Sequence, residues 1–290
     1  MIKAALVLEG GSLRCMFSAG VVDRMMKENL EFEYVNGVSA GSLTAMNYLS
    51  HQIGRTANVS LKFVNDKRYI GMENLVRHHQ LFNFDFLFGD IAKKYLPFDE
   101  ETFHHSTMRY EVGVTNCITG RHEFLSKEKG INMYQAARAS SSMPMVSKIV
   151  KINGHQYLDG GIAMPIGYQR ALQLGYKKIV VVLTREDGYR KTSRKQAVVR
   201  MYHYLYRNFP NLVKRMDLVT SHYNEMQEEI DQLEKSGQIF VIRPKEAVLV
   251  KRIEKNIDKL RDLYQIGTNE VESTWDKLMN YLEYDEKGER

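Results

Sequence analysis

The sequence predicts an α/β protein built on a mainly parallel central sheet. Two observations carry that expectation. Residues 4–8 and 179–183 are continuous apolar runs with the length of strands buried on both faces. Between such runs, apolar residues recur at helical spacing, as in Leu13, Phe17, Val21 and Met25. Strands alternating with helical patterns are the mark of βαβ units.

Taken in order, residues 3–8 read as the first strand, broken by Glu9-Gly10-Gly11-Ser12, and 13–29 as a helix. A second strand over 32–35 leads into Gly37-Val38-Ser39-Ala40-Gly41 and a helix over 41–50. Residues 68–98 differ in texture. The run Leu81-Phe82-Asn83-Phe84-Asp85-Phe86-Leu87-Phe88 reads equally well as a lipid-facing lid or as a core segment over the sheet. Residues 108–116 alternate like a strand and turn at Thr119-Gly120 toward 122–125. A helix over 132–140 follows. Residues 148–152 and 155–158 flank Asn153-Gly154, the strongest short hairpin signal, which puts Asp159 at a strand end. Then come a helix over 165–174, a buried strand over 178–183, a charged helical stretch over 185–236, a strand over 239–242 and an amphipathic helix over 250–282. No repeat, low-complexity segment or linker interrupts the chain, so one domain over 1–282 is expected, with 283–290 a solvated tail.

Composition narrows the function classes. The net charge of +6, from 41 basic and 35 acidic residues, permits peripheral contact with an anionic membrane and selects no partner by itself. No nucleic-acid motif accompanies it, so no nucleic-acid partner is expected. Two cysteines, Cys15 and Cys117, cannot build a disulfide framework and fit a cytoplasmic setting, with peripheral association at the inner membrane face left open. The longest aliphatic runs are five residues, too short for a leader or a membrane span.

The chemistry centres on Ser39. G-x-S-x-G at a strand-to-helix turn is the form of a nucleophile elbow, in which the glycines allow the sharp turn and the helix N-terminus favours developing negative charge. Chance occurrence in a glycine-containing turn is the competing reading, weakened by the strand–turn–helix context. Gly10-Gly11, between a buried strand and a helix, offers backbone N–H groups to an oxyanion, and its spacing fits neither a dinucleotide nor a Walker A loop. A base is also needed. None of the nine histidines stands in a recognisable motif, and no H-E-x-x-H is present, so no metal is expected. Asp159-Gly160-Gly161 ends a strand; desolvation there would raise the aspartate's pKa and make it a better base, although Asp-Gly-Gly alone is an ordinary turn.

Together Glu9-Gly10-Gly11-Ser12-Leu13-Arg14, Gly37-Val38-Ser39-Ala40-Gly41 and Asp159-Gly160-Gly161 resemble the patatin-like phospholipase family in order and spacing. Ala139-Ser140-Ser141-Ser142-Met143-Pro144 is similar to the family's A-S-x-x-x-P stretch, and the resemblance covers roughly residues 3–270. It implies a three-layer α/β/α fold and a Ser39–Asp159 dyad without a catalytic histidine or cofactor. It implies hydrolysis of acyl esters such as glycerophospholipids or lysophospholipids through an acyl-enzyme. The oxyanion would be held by Gly10, Gly11 and Ser12, supported by Arg14 and Ala40. An acyltransferase would use the same dyad. A lipid-binding protein with a weak site rests on the departures Glu9, where the family has aspartate, and Ser12, where it has glycine; Cys15 also stands where glycine is frequent. A Ser-His-Asp α/β-hydrolase would place its elbow after several strands, whereas Ser39 follows about two.

Two further stretches bear on substrate. Phe84 and Phe86 are expected to line an acyl channel if the aromatic run is a lid. Residues 185–215 interleave Arg185, Lys191, Arg194, Arg207 and Arg215 with Tyr202, Tyr204 and Tyr206, reading either as a surface for anionic lipid or as a solvated helical face. Arg252 and Lys255, like Glu225 and Glu229, read as surface charge pairs.

Overall fold

The computed structural model describes residues 1–283. Its sheet has eight strands: β1 (Ile2–Leu8), β2 (Phe32–Val38), β3 (Arg109–Asn116), β4 (His122–Ser126), β5 (Val150–Ile152), β6 (His155–Asp159), β7 (Ile179–Val182) and β8 (Phe240–Ile242). The order is β5-β6-β3-β2-β1-β7-β8, with β4 also on β3. The five strands from β3 to β8 along that order are parallel, and β4, β5 and β6 form the antiparallel end. Parallel strands need crossovers, and helices supply them on both faces.

The alternation of β1 shows the layers. Leu6 and Leu8 pack with Phe17 and Val21 of α1 (Met16–Lys27), Tyr48 of α2 (Ala40–Leu49) and Val271 of the helix Ile257–Glu283. Ala5 and Val7 point to the other face, against Tyr168 of the helix Tyr168–Gln173 and Tyr223 and Met226 of the helix Val219–Lys235. The fold is therefore the three-layer α/β/α arrangement that the family resemblance implies.

Several boundaries differ from expectation for identifiable reasons. β2 continues through Val38, and within it the buried Asn36 NH2 donates to Tyr34 Oη and the Gly167 carbonyl. Residues 185–195 are not helical; a turn at Gly188 (φ 69°) and two bonds between the Lys191 backbone and the Asn224 side chain hold them out. Helix resumes at Gln196. The last helix begins at Ile257, where the Asn256 side chain accepts from the N–H groups of Asp258 and Lys259, so 250–256 is a loop. Glu283 belongs to that helix, and the rest of the expected tail lies outside the described residues. Phe84 and Phe86 are buried in the main core. Among the described residues, no helix is long and apolar enough to cross a membrane.

Candidate active site

Strand pairing explains how Ser39 meets Asp159, 120 positions away. Gly113 of β3 pairs with both Val38 of β2 and Phe124 of β4, so β2 and β4 occupy opposite edges of β3. Val114 pairs with both Glu123 of β4 and Asp159 of β6, so β6 shares the β2 edge. The two strands thus meet end to end, Val38 and Asp159 facing consecutive residues of β3. The junction is tight: a Cβ at Gly160 would lie 2.2 Å from the Gly113 carbonyl oxygen, so only glycine fits.

At this junction Ser39 adopts φ 55° and ψ −130°, a strained conformation for a residue with a side chain. Its N–H donates to Ser140 Oγ at 2.7 Å, and Ser140 Oγ donates to the Gly113 carbonyl at 2.6 Å. Its own carbonyl accepts from Ser42 N–H and Oγ. The backbone is thus fixed, and Oγ donates to Asp159 Oδ2 at 2.8 Å. Asp159 Oδ1 accepts from Gly161 N–H at 2.7 Å, and the Asp159 carbonyl accepts from Thr115 Oγ1 at 2.8 Å. Burial pushes the Asp159 carboxyl up to about 6, against the pull of the Gly161 and Ser39 hydrogen bonds and of the Arg252 and Lys191 charges.

The glycine turn after β1 lies directly against Ser39: a Cβ at Gly10 would come within 2.9 Å of Ser39 Cβ. Among the described residues, the Gly10 N–H has no backbone acceptor, while the Gly11 N–H is directed toward the buried Cys15 sulfur. Ala40 opens α2, where N–H groups are free of intrahelical partners. Ser12 takes a left-handed φ of 54°, the position where a glycine would be unstrained, and its Oγ donates to the Arg252 carbonyl at 2.7 Å. Glu9 is buried with both oxygens engaged: Oε2 accepts from Thr184 N–H (2.6 Å) and Oγ1 (3.0 Å), and Oε1 from Tyr223 Oη (2.9 Å). Arg14 stands beside the turn, its Nε buried without a partner. Burial and the charges of Arg185 and Arg252 lower its pKa.

Comparison with known proteins places this geometry. Residues 6–172, more than half of the chain, match the family described as patatin-like phospholipase. The chain belongs to that family. Residues 209–283 match a second family, described only as a domain of unknown function (DUF6363). The chain is similar to the uncharacterized protein YjjU of Escherichia coli (strain K12), at 27% identity over 274 residues, covering 91% of this chain and 75% of that one. Among solved structures it is similar to VipD from Legionella pneumophila, with a TM-score of 0.48 and 12% identity over 98% of this chain and 67% of that one. Membership of the patatin-like family implies lipid acyl hydrolase activity.

In this patatin-like chain two cavities meet at Ser12, Ser39 and Met143. One is apolar, walled by Leu43, Val59, Phe82, Phe84, Leu87 and Phe88 among others. Phe84 is therefore at the channel, but Phe86 is not; it packs against Phe63 and Tyr95. The other cavity holds Gly10, Gly11 and Asp159 together with Arg14, Arg185, Lys191, Arg194 and Arg252. The basic stretch is thus divided: Arg185, Lys191 and Arg194 line this cavity, while Arg190 pairs with Asp231 at 2.9 Å. Among the described residues Arg252 has no ion pair, and the loop carrying it is tied by its carbonyl to Ser12 Oγ. None of the nine histidines lines either cavity. Sequence reasoning assigned no role to Ser140, Thr184 or Tyr223. The A-S-x-x-x-P resemblance was a signal for the first alone.

Proposed function

We propose that this protein is a serine lipid acyl hydrolase in which Ser39 is the nucleophile and Asp159 the base. The observation that carries this reading is the 2.8 Å hydrogen bond from Ser39 Oγ to Asp159 Oδ2, made by a serine held at φ 55° where an apolar and a polar cavity meet. The acyl chain enters the apolar cavity and brings its carbonyl carbon to Ser39. Oγ attacks while its proton passes to Asp159, a carboxylate whose raised pKa improves it as a base. The tetrahedral oxyanion takes the N–H groups of Gly10 and Gly11, with Ser12 and Ala40 beside them. Asp159 returns the proton to the leaving alcohol, and the acyl group remains on Oγ. Water then attacks the acyl-enzyme, giving its proton to Asp159, and collapse releases the fatty acid and re-protonates Ser39. The reaction so written uses only protein groups and water.

The test is hydrolysis of a nitrophenyl ester series by the wild type, Ser39→Ala, Asp159→Asn and alanine variants of each histidine. The expected result is loss in the first two variants alone, with Ser39 labelled by a fluorophosphonate. Loss with one histidine, or a wild type that neither turns over nor labels, would sink the proposal. The chain-length profile tests the apolar cavity: Phe84→Ala should shift it and Phe86→Ala should not.

A further inference from the structure

The polar cavity gathers five cationic side chains around the position that the leaving alcohol must occupy. Elsewhere some half-buried arginines meet carboxylates, as Arg170 does Glu111 and Arg243 does Asp231, and others meet only neutral oxygens, as Arg55 and Arg215 do. Among the described residues, the five cations of this chamber have a single carboxylate contact between them. Arg185 has only Glu186, at 3.8 Å, and donates otherwise to the Val248 carbonyl. Arg194 donates to the Met216 carbonyl. Lys191 Nζ sits 3.6 Å from the centroid of the Tyr223 ring. The Nε atoms of Arg14 and Arg185 are buried without partners. The two carboxylates of the cavity are already committed, Glu9 to Thr184 and Tyr223, and Asp159 to Ser39 and Gly161. Gathering like charges in a partly dry space costs free energy that an anionic ligand would offset.

We propose that this chamber holds the phosphate monoester of the leaving alcohol, so that the substrate is an acyl ester of a phosphorylated polyol, of the lysophosphatidic or phosphatidic acid class. The inference rests on the hydrolase reading above and narrows it. A dianionic phosphate offers acceptors on all sides to guanidinium and ammonium donors. A choline or ethanolamine cap would bring a further cation into a chamber already rich in them, and a neutral glyceride would leave the cations unpaired. Burial, together with Arg252, Arg194 and Arg14, pushes Lys191 down to about 7 against the pull of Glu9. Phosphate beside it favours the charged form, so ligand binding takes up a proton near pH 8. The chamber also gives the 209–283 region a task. Arg252, Met216, Val219 and Tyr223 form part of its wall, while the patatin-like region supplies Arg14 and the glycine turn.

The experiment measures kcat/KM on lysophosphatidic acid, lysophosphatidylcholine and monoacylglycerol of one chain length, presented as monomers. The enzymes compared are the wild type, Lys191→Gln/Arg252→Gln and Arg252→Gln, whose exposed side chain makes it safe for folding. The wild type should prefer the phosphate monoester by about 30-fold over both other headgroups, and the double variant by less than about threefold, with the change mainly in KM. Equal headgroup rates in the wild type, or a preference that survives the double substitution, would overturn the proposal. Calorimetry on Ser39→Ala separates this from a failure of the hydrolase reading. Lysophosphatidic acid bound with proton uptake, more tightly than lysophosphatidylcholine and weakened by Arg252→Gln, supports the chamber even if no ester is cleaved. Inorganic phosphate binding as tightly as the lipid, with no headgroup preference, would make this a free-anion site and overturn the lipid assignment.

Discussion

Two buried carboxylates end two strands of this sheet, and they are held differently. Glu9, after β1, has both oxygens occupied by three donors from Thr184 and Tyr223, which join the end of β1 to the end of β7 and to the helix Val219–Lys235. Asp159, ending β6, has one oxygen on a backbone N–H and the other on the hydroxyl of a strained serine. Both are almost inaccessible. The difference teaches that saturation, not burial, separates a clamp from a base. A carboxylate whose two oxygens accept from three fixed donors ties elements together rather than relaying a proton. One that faces a movable hydroxyl, with its pKa raised, is ready to take one.

The largest expected effect follows directly. Asp159→Asn should lower ester hydrolysis by roughly a thousandfold while the protein stays folded, because the amide can accept from Gly161 and donate to Ser39 yet cannot take a proton. Glu9→Gln should do the reverse. Its amide oxygen can keep the Thr184 bonds, but its NH2 would then face Tyr223 Oη, which donates to Glu9 and already accepts from Gln227, costing about 2–3 kcal/mol and several degrees of Tm. The folded fraction should still label with a fluorophosphonate. Thermal scans and labelling stoichiometry on both variants decide this. If Glu9→Gln abolished labelling without lowering Tm, the contrast between clamp and base would be wrong.

Much of this was legible in the chain and some was not. The elbow, the glycine turn and Asp159-Gly160-Gly161 are local patterns, and the strands around them show as apolar runs, so three segments could be named and the family resemblance drawn. Their convergence could not be read, because it depends on β2 and β6 sharing one edge of β3, a matter of register between strands far apart in sequence. Phe84 and Phe86 illustrate the limit. Two residues apart in one aromatic run, they look equivalent, but only Phe84 reaches the channel. Arg252 was hidden for a similar reason. In the expected helix over 250–282 it is a surface charge; with the helix starting at Ile257 its loop folds back on Ser12.

The titration of Asp159 sharpens the comparison through pH. Burial lifts its carboxyl from the ordinary 3.8 to about 6. Activity that needs the ionised form should therefore rise with pH through an inflection near 6. Stability runs the other way. A carboxyl with a raised folded pKa favours the native state fully below the unfolded value, and that contribution is lost as pH rises through the folded one. At pH 8 the ionised group costs on the order of 2–3 kcal/mol, which Asp159→Asn removes. The variant should melt higher than wild type at pH 8 and alike at pH 4. An activity inflection near 4, with no pH dependence in the Tm difference, would show that the carboxylate is not desolvated.

The smallest effect probes the clamp from the other partner. Thr184→Val deletes the Oγ1 donor to Glu9 Oε2 and a 3.2 Å bond to the Gly10 carbonyl, but leaves the shorter backbone bond from Thr184 N–H in place. Oε2 therefore stays satisfied, and about 1 kcal/mol should be lost, less than for Glu9→Gln. Tyr223→Phe removes the one donor to Oε1 and should cost more than Thr184→Val, because it strips a buried anionic oxygen of its partner. Denaturant midpoints for the three variants give the order directly. If Thr184→Val cost as much as Glu9→Gln, the threonine hydroxyl rather than the backbone N–H would be what fixes Glu9. The glycine turn against Ser39 would then depend on a side chain that can rotate away.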